Sequence, residues 1–152
     1  MENLPTLLNQ LESKIPYRNK NKLTVSQASV GWHIEHSLLV ITEVIQALLN
    51  SIPGNYKPAF SWKRIFIYSI GKIPRGKAKA PRFVLPEAEV NLERIKSNFA
   101  VAKIKIVELS ELNKKSFFKH PYFGNLNLKQ SRTLLNIHTK HHLKIIEDII
   151  QQ

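Results

Sequence analysis

Leu92, Ile95, Phe99, Ala102, Ile106 and Leu109 recur three and four residues apart without a break. Only an α-helix carries such positions onto one face, so this segment must bury one side against a partner. The same alternation in Leu4, Leu8, Leu11 and Ile15, ended by Pro16, defines a short N-terminal helix. A second helix runs to about Ser51, before the break at Pro53-Gly54-Asn55, and Thr24 with Gln27, Ser26 or Ser29 could cap it. It is apolar nearly all round. Leu38, Ile41, Ile45, Leu48 and Ile52 mark one face and Val40, Val44 and Ala47 another, which places this helix at the centre of the fold.

A third helix is expected from about Pro58 to Ile70, with Trp62, Ile65 and Phe66 facing inward and Gly71 closing it. Lys72 to Leu85 reads as loop. Pro86, followed by Glu87 and Glu89, is a good start for the fourth helix, since proline suits a first turn and carboxylates complement the positive end of the dipole. That helix ends near Asn113, and Asn127 with Gln130 forms a capping pair for the last one. No strand pattern competes. The expected fold class is all-α: one domain over residues 1–152, a bundle of four long helices with a short extra one at the N-terminus.

The 152 residues include no cysteine, which fits a reducing compartment and excludes disulfides, thiolate zinc sites and a cysteine nucleophile. Met1 to Glu12 lacks the basic start and apolar core of a signal peptide. The longest greasy run, Leu38 to Leu49, is broken by Thr42, Glu43 and Gln46 and is too short to span a bilayer. A cytoplasmic protein without a membrane segment is therefore expected. There is no GxSxG elbow and no glycine-rich nucleotide loop.

Lysine and arginine number 23 against 11 acids, a formal charge of +12. The excess is uneven: from Val44 to Pro86 there is no acid, while Lys57, Lys63, Arg64, Lys72, Arg75, Lys77, Lys79 and Arg82 all fall there. Such a local positive field favours anionic partners. Arg75, Lys77 and Lys79, set between prolines, could hold an anion. The same run also serves as a solvated surface that keeps a protein soluble.

In the last helix Leu135, His138, His142, Ile145 and Ile149 form one stripe, with two histidines where leucine is expected. Burying an unpartnered imidazole costs about 1–3 kcal/mol, so each needs a hydrogen bond or a metal ion. Histidines four apart stand one above the other and can point at the same ion. His36 on the second helix shares a face with Val40, Glu43 and Ala47 and could meet them; His33, one turn earlier, is the competing ligand. His141 looks sideways, nearer Ile137 and Asp148. The spacing also fits histidines that are merely exposed or hydrogen-bonded. The zinc-protease motif is absent, because Thr139 stands where a glutamate would follow the first histidine. Three histidines with open positions would make a site of the catalytic kind, suited to zinc, nickel, iron or manganese.

Taken together, these residues resemble the DinB-like superfamily of metal-binding helical bundles. Ser29-Val30-Gly31-Trp32-His33-Ile34-Glu35-His36 is similar to the family's second-helix segment, and His138-Thr139-Lys140-His141-His142 to its HxxxH element. His120-Pro121-Tyr122-Phe123-Gly124 and Ile73-Pro74-Arg75-Gly76-Lys77-Ala78-Lys79-Ala80-Pro81 resemble signatures of a bacterial branch of it. The resemblance implies an up-and-down four-helix bundle, often a homodimer, with a mononuclear metal at one end held by His36, His138 and His142. Activities in that superfamily are mostly thiol-group transfers and related isomerisations with a low-molecular-weight thiol such as bacillithiol, mycothiol or glutathione, and the expected function here is that of a metal-dependent thiol S-transferase or a hydrolase acting on a small-molecule substrate. Arg75, Lys77 and Lys79 would then attract the thiol's carboxylates, with His120, Glu43 and the Arg75 loop as supporting or substrate contacts.

A non-enzymatic basic helical protein that binds nucleic acid or a protein partner is the alternative from another class. A pI near 10.0 is its expected footprint. Against nucleic acid stand the absence of a zinc finger or RNA-binding aromatic motif and the fit of Trp62 and Phe66 to a core stripe, which rank it below the metal reading.

Overall fold

The computed structural model describes residues 3–76, 80–87 and 89–151. The described residues form five α-helices: α1 (Leu4–Glu12), α2 (Val30–Leu49), α3 (Trp62–Ile70), α4 (Leu92–Ser110) and α5 (Leu128–Ile150). Two strands, β1 (Phe117–His120) and β2 (Gly124–Asn127), pair antiparallel between α4 and α5. The chain is thus mostly helical with a small two-stranded sheet.

The apolar stripes explain the packing. α2 lies against both α4 and α5, and α1 against α5 and α4. Leu38, Ile41, Ile45 and Leu48 of α2, Leu7 and Leu11 of α1, Ile95 of α4 and Leu135 and Ile146 of α5 are fully buried in one core. Fully burying one such side chain is worth about 1.5–3 kcal/mol, so the three-four spacing is what holds these helices together. The second face of α2 is only partly covered. Val44 is buried, but Glu43 and Ala47 are exposed, and Ile52, expected on the first face, lies beyond the helix end and is exposed.

Local signals fix several boundaries. Ser29, of the three candidates, caps α2: its Oγ accepts the Trp32 N–H at 3.2 Å. Two segments press on the next turn, where a Cβ at Gly31 would come within 2.6 Å of Val90 Cγ1 and 2.9 Å of the Arg18 carbonyl. Asn127 and Gln130 form the expected reciprocal cap of α5, each bond 3.0 Å long. Gly71 closes α3 in the left-handed conformation.

Three expectations are corrected. α4 starts at Leu92, not at Pro86, because the Asn91 side chain accepts the Arg94 N–H at 2.9 Å. Arg94 draws the preceding acidic segment away: it pairs with Glu87 at 2.8 Å, takes the Glu89 carbonyl and forks onto the buried Glu35 of α2. The strands are the second correction. Gly124, at φ 71°, closes a turn in which His120 Nδ1 accepts the N–H groups of Tyr122 and Phe123, and a Cβ there would lie 2.7 Å from the Ala59 Cβ.

The third concerns α3. Trp62, Ile65 and Phe66 face solvent, exposed by 65, 51 and 56%. The helix is anchored by its other side, where Tyr68 donates to the Gln130 carbonyl at 2.7 Å and Arg64 to the Phe123 carbonyl at 3.3 Å. Ser61 caps it, so it begins at Trp62 and not near Pro58. Among the described residues no helix is long and apolar enough to cross a membrane.

Candidate metal centre

His33 and His36 lie one turn apart on α2, and His138 and His142 one turn apart on α5, where the two helices pack face to face. Ring centroids are 4.5 Å apart for His138 and His142, 4.8 Å for His36 and His142, and 5.2 Å for His36 and His138. Each of these three offers a ring nitrogen within 4.8 Å of the others, so His36, His138 and His142 could hold a metal ion. Tetrahedral ligation with bonds of about 2.0–2.1 Å sets nitrogens ~3.3 Å apart, and at most ~1.5 Å of side-chain adjustment closes the triangle.

The surroundings prepare these nitrogens. Val84, in the turn that covers the end of α2, accepts a 2.7 Å hydrogen bond from His36 Nδ1–H, which fixes the tautomer and leaves the Nε2 lone pair available. Trp32 stacks on His36 with centroids 4.9 Å apart and planes 18° from parallel, shielding one side from water. His138 Nδ1 is buried with no hydrogen-bond partner. With its proton on Nε2, His138 would present there a buried lone pair that a cation could satisfy.

Burial holds the rings neutral. It pushes His138 and His142 well below the ordinary histidine value, the neighbouring imidazoles adding to the effect. His36 is lowered by burial, although the Val84 carbonyl opposes the shift. His33 is lowered to about 4, by burial first and then by His36, His141 and Arg75. Neutral imidazole is the ligating form, so the fold presents donors that need not lose a proton.

The remaining candidates fall elsewhere. His33 stands beside the triangle, its Nδ1 3.0 Å from His142 Nδ1. His141 is half-buried, edge-on to His142 at 5.1 Å, and bonds to the Ile73 backbone. His120 serves the hairpin turn and stacks on Phe123 at 4.4 Å. Glu43 is exposed. Arg75 pairs with Asp148 of α5, the helix that carries His138 and His142, at 2.7 Å. Lys77 and Lys79 lie outside the described residues.

Sequence reasoning missed Trp32 and the Val84 carbonyl. Trp32 had a signal, since it sits four residues before His36 on the same helix. Val84 had none, being a backbone group 48 residues from its partner. Two surface grooves, of about 350 and 300 Å³, are lined by Lys14, Lys140 and Lys144 and by Ile106, Arg132 and Asn136, with no histidine in either wall. No protein-family model, curated protein or solved structure matches this chain.

Proposed function

We propose that this chain is a metal-binding protein of DinB-like, up-and-down four-helix type, in which His36, His138 and His142 hold one divalent ion, and that it acts as a metal-dependent thiol S-transferase or hydrolase. One observation carries the reading: three neutral imidazoles from two helices converge within 4.8 Å, one with a buried nitrogen that has no partner. An all-nitrogen donor set suits zinc, nickel or iron, with manganese the least favoured of the four. A bound ion there supplies Lewis acidity to a thiol or water nucleophile.

The chain's own residues orient and exclude. Val84 holds the His36 ring, Trp32 keeps water from one side of it, and Asp148 keeps Arg75 against α5. The exposed remainder of the Arg75 guanidinium, with Lys77 and Lys79, would attract a carboxylate-bearing thiol. Metal-loaded protein is expected to turn over an electrophile with such a thiol, to lose the activity to chelator and to regain it with added metal. Neutralising Lys77 and Lys79 should raise the Michaelis constant for the thiol. Loaded, folded protein inactive towards every thiol and hydrolytic substrate tried would remove the enzymatic part of the reading.

A second reading is favoured by the outward turn of α3. Trp62 and Phe66 are exposed beside Lys63 and Arg64, so the argument that they belong to a core no longer stands against nucleic acid. Sequence-preferring binding at physiological salt would establish that reading. Retention that vanishes steeply with salt would show only charge attraction.

A further inference from the structure

We infer that His33 is a positioning residue that sets the tautomer of His142, with Ser26 at the far end of the relay. This rests on the metal reading above and deepens it. His33 Nδ1 lies 3.0 Å from His142 Nδ1, and His33 Nε2 lies 3.0 Å from Ser26 Oγ, which also accepts the Ala28 N–H at 3.1 Å. Two neutral imidazoles facing each other through their Nδ1 atoms can share only one proton, so one donates and the other accepts.

The direction of that bond decides whether His142 can ligate. If His33 donates, His142 accepts at Nδ1 and its own proton sits on Nε2, the nitrogen left over for a metal. That state cannot bind. If His142 Nδ1–H donates to His33 Nδ1, the Nε2 lone pair is open, and His33 must carry its proton on Nε2, where Ser26 Oγ accepts it. His36 reaches the same tautomer by donating from Nδ1 to the Val84 carbonyl. His36 and His142 are therefore held alike, one by a backbone carbonyl and one by a fourth imidazole that is not itself a ligand. His33 is 4% exposed, so no water replaces its acceptor cheaply.

The test titrates zinc into tag-free wild type, His33→Leu and His33→Asn against a chromophoric chelator, with circular dichroism to confirm folding. In parallel, long-range proton–nitrogen correlation spectra of the zinc form read which nitrogen of His142 bears the proton. A lost orienting partner of this kind weakens metal binding about 10–100-fold. His33→Leu is expected to show that loss, and His33→Asn, whose carbonyl oxygen can accept from His142 Nδ1–H, to recover part of it. The wild-type spectrum should place the proton on Nδ1 and zinc on Nε2. Unchanged affinity in folded His33→Leu, or zinc on His142 Nδ1, overturns the relay alone. A wild type that takes up no zinc overturns the metal reading and the relay with it.

Discussion

The same three-four spacing is written into α5 and into α3, and the two helices use it in opposite ways. In α5, Leu135, His142, Ile145 and Ile149 turn into the core. In α3, Trp62, Ile65, Phe66 and Ile70 turn out, while Arg64 and Tyr68 hold the helix from behind. α5 runs over 23 residues and packs on both α1 and α2, whereas α3 has nine residues and lies against α5 and the β1–β2 turn at Phe123. Spacing shows that a face exists. Which way it points depends on length and on the polar anchors opposite, and those come from elsewhere in the chain.

That contrast breaks or holds under substitution. Leu135→Ala should destabilise the protein by about 2–5 kcal/mol, the cost of a cavity in a packed core, read by chemical denaturation. A loss below about 1 kcal/mol would mean that the α5 stripe is not the core. Arg94→Ala comes next at about 3 kcal/mol, because it strands Glu35, only 2% exposed, without its ion pair. The low end of the range for a buried pair applies, as the Arg94 side chain is itself 27% exposed. An Arg94→Ala protein as stable as wild type would show that Glu35 finds another partner.

Acid should follow. Burial lowers His33 and His120 to about 4, so between about pH 6.5 and 4 the unfolded chain binds protons that the folded chain refuses. Their contribution to stability is full above about pH 6.5 and is lost as pH falls through the folded value. The metal-free protein should melt lower at pH 5 than at pH 7.5. A flat melting temperature would mean that these rings titrate as though exposed. Tyr68→Phe, which removes one bond to the Gln130 carbonyl, should cost about 1 kcal/mol and increase hydrogen exchange in α3. Phe66→Ser on the outer face should change stability by about 0.5 kcal/mol or less. A larger loss would place Phe66 in a packed environment and reverse the comparison.

The three histidines were legible because two of them interrupt an apolar stripe and the third sits on a helix that is apolar nearly all round. The Asn127–Gln130 cap and Gly71 were legible for a similar reason, since each acts within a few residues. What stayed hidden is non-local or carried by backbone: the Val84 carbonyl on His36, the Tyr68 bond that turns α3 outward, and Arg94 reaching back to Glu35. The hairpin escaped because four residues per strand, with only Leu126 fully buried, make too short an alternation. The start of α4 was misplaced because proline and two acids imitate a helix entry, while Asn91 does the capping.

The central claim is the metal at His36, His138 and His142, and elemental analysis of tag-free protein purified without chelator tests it most directly, beside folded His36→Ala, His138→Ala and His142→Ala. The account expects about one divalent ion per chain in the wild type and its loss in each variant. Wild-type protein that stays empty after incubation with zinc, nickel and manganese would contradict it.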